Sequence, residues 1–293
     1  MKTSKLGQSD LYISQISFGC MSLTKDTTGN QKLIREAYES GINLFDTADR
    51  YDHGWNEKIL GEAVKDFRSE IYLATKVGHQ FSDDGTGWKW APSKQHILSA
   101  VDQSLSRLQT DYIDLYQLHG GTIEDPIDDI IEAFEKLVEL GKIRCYGISS
   151  IRPNVIRRYV EKSSISSVMM QYSLLDRRPE EECLALMKEN SIGLLTRGTL
   201  AKGILVDKPP IETLGYSHDD VSGLQNQLKN KMSPIAGALH FVLENSAITS
   251  AVVGMKNLDQ LEGVIQGYNS EVSPAVLDEL KSVLEPTVYT DHR

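Results

Sequence analysis

The chain has 293 residues, 40% of them hydrophobic, and its 31 Lys and Arg against 41 Asp and Glu give a formal charge of −10. That length fits one large barrel or two smaller domains, and an acidic chain without a basic run is a poor partner for nucleic acid. No apolar run approaches the roughly 20 residues that span a bilayer, the first residues lack the apolar stretch of a signal peptide, and Cys20, Cys145 and Cys183 are too far apart for a C-x-x-C or zinc pattern; a cytoplasmic protein with reduced thiols, no membrane partner and no metal is expected.

In chain order, LGQSDLYIS predicts a hairpin. Short apolar runs then follow at 16–20, 42–47, 71–77, 112–118, 143–148, 168–172, 192–196 and 248–253. They are apolar on both alternations, as strands buried on both faces are. Between them lie amphipathic stretches that predict helices over 31–40, 57–67, 92–108, 127–140, 153–161 and 180–189, one long helix near 219–244, and another over 258–266. Pro92, Pro126, Pro153 and Pro179 stand near first turns, and Gly41 and Gly141 stand where a helix stops before the next strand. Long loops are expected at 78–91, with Trp88 and Trp90, and at 203–219, and an extra helix and tail from about Ser273. Eight strand-then-helix units without a dividing linker predict a single α/β domain over 1–293: a closed (β/α)8 TIM barrel with an N-terminal β-hairpin and a C-terminal extra helix.

In such a barrel the chemistry sits where strands end. The second run closes in Phe45-Asp46-Thr47-Ala48 with Tyr51 just beyond, the third in Ala74-Thr75-Lys76, and the fourth in Gln117-Leu118-His119. Singly, Asp46 reads as a strand-end cap, Lys76 as a surface lysine, His119 as a turn residue and Tyr51 as loop packing. Together they form a complementary set on neighbouring strands. A phenol, with a free pKa of about 10, is a weak acid for protonating a carbonyl oxygen, and a neighbouring ammonium favours its phenolate. The expected roles are Tyr51 as general acid, Lys76 as its electrostatic activator, Asp46 as the partner of Lys76, and His119 as the group that orients the carbonyl.

The segments DTADRY (46–51), LATKVG (73–78), DYIDLYQLH (111–119) and GKIRCYGISS (141–150) resemble the aldo-keto reductases, over nearly the whole chain. LHGGTIEDPID and SSIRPNVI extend the likeness to a bacillus-type subgroup of that family. The resemblance implies reduction of aldehydes or ketones with NADPH as hydride donor. It also implies a cofactor site. Gly19, Cys20 and Met21 approach the nicotinamide ribose, and Ser149 and Gln171 hold the carboxamide. Gly198, Thr199 and Leu200 lie under the pyrophosphate, with Lys208 on the loop that closes over it. Gly254, Lys256 and Gln260 bind the adenosine 2′-phosphate and ribose. Three positions depart from the family pattern: Ser150 where many relatives have Asn, Arg197 where many have an aromatic platform for the nicotinamide, and Val264 where an Asn commonly meets the adenine.

No G-x-G-x-x-G follows a strand and no G-x-S-x-G occurs, so a Rossmann dehydrogenase and an esterase lack support. Two alternatives stay open: a Schiff-base lyase using Lys76, and a dinucleotide-binding regulatory subunit with little turnover. The substrate is expected to be a small carbonyl compound facing an aromatic wall of Phe81, Trp88 and Trp90, and the chain a monomer or weak homo-oligomer.

Overall fold

The chain opens with an antiparallel hairpin, β1 (Thr3–Lys5) and β2 (Tyr12–Ser14), before the first barrel strand, β3 (Ile16–Gly19). Helix α1 (Thr27–Glu39) leads to β4 (Leu44–Asp46), and α2 (Trp55–Val64) to β5 (Tyr72–Val77). A second hairpin follows, β6 (His79–Phe81) with β7 (Trp88–Trp90). Then come α3 (Lys94–Leu108), β8 (Ile113–Leu118), α4 (Ile127–Glu139), β9 (Ile143–Ser149), α5 (Pro153–Lys162), β10 (Ser167–Gln171), α6 (Cys183–Glu189) and β11 (Gly193–Arg197). The chain ends with α7 (His218–Lys231), α8 (Pro234–Glu244), β12 (Ile248–Gly254), α9 (Leu258–Asn269) and α10 (Pro274–Lys281). This is a computed structural model, and it describes residues 1–82 and 87–293. Among the described residues no helix is long and apolar enough to cross a membrane.

Eight parallel strands close in the order β10-β11-β12-β3-β4-β5-β8-β9, each paired with its neighbours and the last with the first. The expected (β/α)8 barrel, hairpin and extra C-terminal helix are all present. Four local readings change. The long helix expected near 219–244 is two helices: Met232 is extended (φ −165°, ψ 180°), Ser233 is pushed out of the helical region by the proline that follows it (φ −57°, ψ 125°), and Pro234 then opens α8. The helix expected over 57–67 ends at Val64 and runs on as tight turns through Lys65–Glu70. The stretch at 180–189 divides at Glu182 into a turn and α6. The loop expected at 78–91 contains the β6–β7 hairpin; its positions 83–86 lie outside the described residues.

Two cores result. The larger lies between the strands and the helix ring. The smaller fills the barrel, with Leu44, Ala74, Leu115, Cys145, Met169, Leu195 and Val252 joined by Leu6, Leu11 and Ile13 from the hairpin segment. The hairpin therefore plugs the end where strands begin. Gly7 makes the closest approach there: at φ +55° it is in the left-handed region, and a Cβ would fall 2.2 Å from the Ser166 carbonyl oxygen and 2.9 Å from the Gly193 nitrogen. Because side chains alternate along a strand, the inward rows continue to the other end. Two residues beyond Leu44, Ala74, Met169, Leu195 and Val252 stand Asp46, Lys76, Gln171, Arg197 and Gly254, and four beyond Leu115 and Cys145 stand His119 and Ser149. One alternation thus places both the inner core and the rim of the mouth.

Candidate active site

A cavity of about 930 Å³ opens at that mouth. It is lined by Asp46, Tyr51, Lys76 and His119 together, so the four residues expected to form the chemical set do converge. The Lys76 side chain is 1% exposed, and its Nζ donates to Asp46 Oδ1, Asp46 Oδ2 and the Thr47 carbonyl oxygen, each at 2.7 Å. Those bonds occupy the donors of an ammonium. Burial alone would lower the Lys76 pKa, but the Asp46 carboxylate and Tyr51 outweigh it and hold the group above the ordinary lysine range. Tyr51 stands on the turn after β4, its backbone N–H donating to the Ala48 oxygen at 3.1 Å, and Lys76 Nζ lies 5.2 Å from its ring centroid. The His119 ring meets the Tyr51 ring edge-on, centroids 5.7 Å apart. Burial, then the charges of Lys76, Arg50 and Arg197 with His79 beside it, push the His119 pKa down to about 2. It is therefore a neutral imidazole with one N–H to offer.

The residues expected around a dinucleotide divide. Gly19, Met21, Ser149, Arg197, Gly198 and Gly254 line the cavity. Their half of the mouth has glycine backbones where side chains would intrude: a Cβ on Gly254 would meet Ser22 Oγ at 2.2 Å, and Gly198 has φ +73°. A flat ring and its ribose fit against such a bare surface. Arg197 does not float above it, since Nη1 donates to Gln171 Oε1 at 3.0 Å. Gln171 thus meets the cavity through Arg197. Cys20 is fully buried, its thiol pKa raised by burial, and it lies behind the wall that its neighbours Gly19 and Met21 line. Thr199 is buried, with its hydroxyl 3.4 Å from that of Thr196. Lys208 lays its stem along Gly203, and Lys256 and Gln260 join at the start of α9, where the Lys256 N–H donates to Gln260 Oε1 at 2.9 Å. Leu200, Lys208, Lys256 and Gln260 are outside the cavity wall.

Sequence reasoning missed several wall residues. Buried Asn56 accepts from the Thr47 hydroxyl and donates to the Cys20 carbonyl oxygen, both at 2.7 Å, tying the turn after β4 to the turn after β3. His79 accepts from Arg50 Nη1 at 3.2 Å, and burial with the Arg50 charge lowers its pKa to about 4, so it too is neutral. Arg152 donates to the Gly121 oxygen at 2.7 Å. Trp55 and Trp90 line the cavity, Trp90 held by a 2.9 Å bond from its indole N–H to Asp125. Of the expected aromatic wall, Trp90 is in place; Trp88 is 48% exposed beneath the Arg50 guanidinium, and Phe81 stacks on His53. Arg50 lies inside DTADRY, but nothing in the spacing separates it from its neighbours.

The aldo/keto reductase family model matches residues 15–285. The uncharacterised oxidoreductase YqkF of Bacillus subtilis is 45% identical across 100% of both chains. The aldo-keto reductase yakc of Schizosaccharomyces pombe, which carries NADP(+) in its name, is 35% identical over 69% of this chain and 62% of its own. Among solved structures, the holo form of aldo-keto reductase AKR11C1 from Bacillus halodurans superposes with a TM-score of 0.96 at 45% identity, covering 100% of this chain and 99% of that one. Its apo form gives 0.88 at 43% identity, over the same shares.

Proposed function

Because the chain belongs to the aldo/keto reductase family, oxidoreductases that use nicotinamide cofactors, we propose that it reduces aldehydes or ketones to alcohols with NADPH and that Tyr51 donates the proton. The observation that carries this reading is the buried Lys76–Asp46 pair beside the Tyr51 ring. NADPH would lie along Gly19, Ser149, Arg197, Gly198 and Gly254, with Lys256 and Gln260 toward its 2′-phosphate, and it would supply a hydride to the carbonyl carbon. The protein's own part is proton delivery and orientation. Tyr51 gives its hydroxyl proton to the carbonyl oxygen, and the Lys76 ammonium stabilises the phenolate left behind. Asp46 keeps Lys76 charged at a closed rim. His119, neutral throughout the working pH range, directs its N–H to the same carbonyl oxygen. The occupied donors and raised pKa of Lys76 work against a Schiff-base role, which needs a free amine. Arg197, tied to Gln171, supports the carboxamide side of the site in place of an aromatic ring.

Tyr51→Phe is expected to lower kcat by roughly 10²–10⁴ with little change in NADPH affinity. Steady-state turnover of a small aldehyde, followed by loss of NADPH absorbance, measures the first, and fluorescence titration the second. A variant with wild-type kcat in a chemistry-limited assay would remove Tyr51 from this role; a protein of either form with no turnover above background would favour a binding subunit.

A further inference from the structure

The wall of the cavity is positively charged in a chain that is not. Arg50, Lys76, Arg152 and Arg197 face it against Asp46 and Asp52, and its histidines His79 and His119 are neutral. The formal charge of the whole chain is −10. Asp46 is committed to Lys76, which among the described residues leaves three arginines opposite one carboxylate.

Pairing across the molecule sharpens the contrast. Of the twelve arginines in the sequence, Arg35, Arg68, Arg107, Arg144, Arg157, Arg177, Arg178 and Arg293 contact carboxylates. Among the described residues Arg50, Arg152, Arg158 and Arg197 do not, and three of these four line the cavity. Arg158 is the exception, a half-buried side chain that donates to the Ile123 oxygen outside the cavity wall. Arg50 and Arg152 are nevertheless held in place. Arg50 stacks 4.0 Å over the Trp88 ring and donates to neutral His79; Arg152 donates to a backbone oxygen. Neutral partners fix a guanidinium without cancelling its charge. Arg152 also stands at the N-terminal end of α5, where a cation opposes the helix dipole.

Topology places these two at the borders of the cofactor half, Arg50 beyond the strand next to β3 and Arg152 three residues beyond Ser149. Glycine backbones and Arg197 occupy the ends of β11, β12 and β3, whereas Arg50 follows β4 and Arg152 follows β9, at the two ends of the run β4-β5-β8-β9. Tyr51, Lys76 and His119 lie on that same run. We infer that the carbonyl substrate carries an anionic group, carboxylate or phosphate, which Arg50 and Arg152 bind while the carbonyl meets Tyr51 and His119. This rests on the carbonyl-reductase reading above and names its substrate class.

Two matched pairs test it: 4-oxobutanoate against its methyl ester, and glyceraldehyde 3-phosphate against glyceraldehyde, each with NADPH. The wild-type protein is expected to favour the charged member of at least one pair in kcat/KM by about tenfold or more, chiefly through KM, because charge-assisted hydrogen bonds are the strong ones. The pair that shows it identifies carboxylate or phosphate. Added salt is expected to shrink the preference. Arg50→Gln and Arg152→Gln should each reduce the charged-to-neutral ratio by roughly 10-fold, and Arg50→Lys by less. Equal kcat/KM within both pairs in the wild-type protein, or ratios that the Gln variants leave unmoved, would overturn the inference. Turnover of the neutral members keeps the carbonyl-reductase reading standing in that event, whereas absence of turnover for all four would sink that reading and this one with it.

Discussion

Asp49 lies three residues beyond Asp46, yet it is absent from the cavity wall and sits among Glu57, Arg107 and Tyr116. Glu57 is satisfied there, accepting from Thr75 and Arg107 at 2.6 Å each, while Asp49 Oδ1 is buried without a partner. Burial first, and the Glu57 carboxylate second, push the Asp49 pKa up to about 7 from the ordinary 3.8. The folded state therefore holds a proton that the unfolded chain has already lost between those two values. Stability from this group is fully present below the unfolded pKa and is lost as pH rises through about 7. Asp49→Asn removes the cost of a buried charge, with a ceiling of roughly 4 kcal/mol. The variant is expected to melt above the wild-type protein at pH 8.5 and to differ much less at pH 5. Thermal scans at the two pH values measure this, and a gain independent of pH would show that Asp49 is not the titrating group.

At the scale of elements, the proposed 2′-phosphate contact rests on the start of α9. Asn257 caps it, accepting from the Gln260 N–H at 2.9 Å, and Lys256 stands just outside with its charge against the dipole. A 2′-phosphate there would make that position favourable. Lys256→Ala is expected to weaken NADPH binding by about 10-fold or more and NADH binding little, since the contact is charge-assisted; equal losses in fluorescence titration would take Lys256 off the phosphate. The barrel and the four convergent residues were legible because two-sided burial leaves apolar runs of strand length, and the polar residue ending each run faces the mouth. The break at Ser233-Pro234 was written in the proline, but strong apolar stretches on both sides read as one helix. The β6 and β7 strands, HQF and WKW, are too short for a period and exist through pairing with each other. Asn56 and His79 were not legible, because their partners Cys20 and Arg50 are distant in sequence and meet only in the closed barrel.

For the molecule as a whole, the two ends of the barrel carry different burdens. Leu6, Leu11 and Ile13 close one end and belong to the interior core; the other end is a ring of polar groups. Leu11 is fully buried, so Leu11→Ala is expected to cost about 2–5 kcal/mol in denaturant unfolding. Because it is remote from the mouth, aldehyde turnover of the folded variant should stay within about twofold of wild type. A large loss of turnover with little loss of stability would show that the plug controls the mouth. Closure has a further consequence. With every barrel strand paired on both sides, Arg50 and Arg152 are carried by connecting segments, outside the ladder that holds the fold together. In evolutionary terms, the proposed roles of Arg50 and Arg152 would make the charge a lineage prefers in its substrate a trait set by a few codons at the rim. Selection on it can reverse, and reverse again, while the scaffold below descends unaltered.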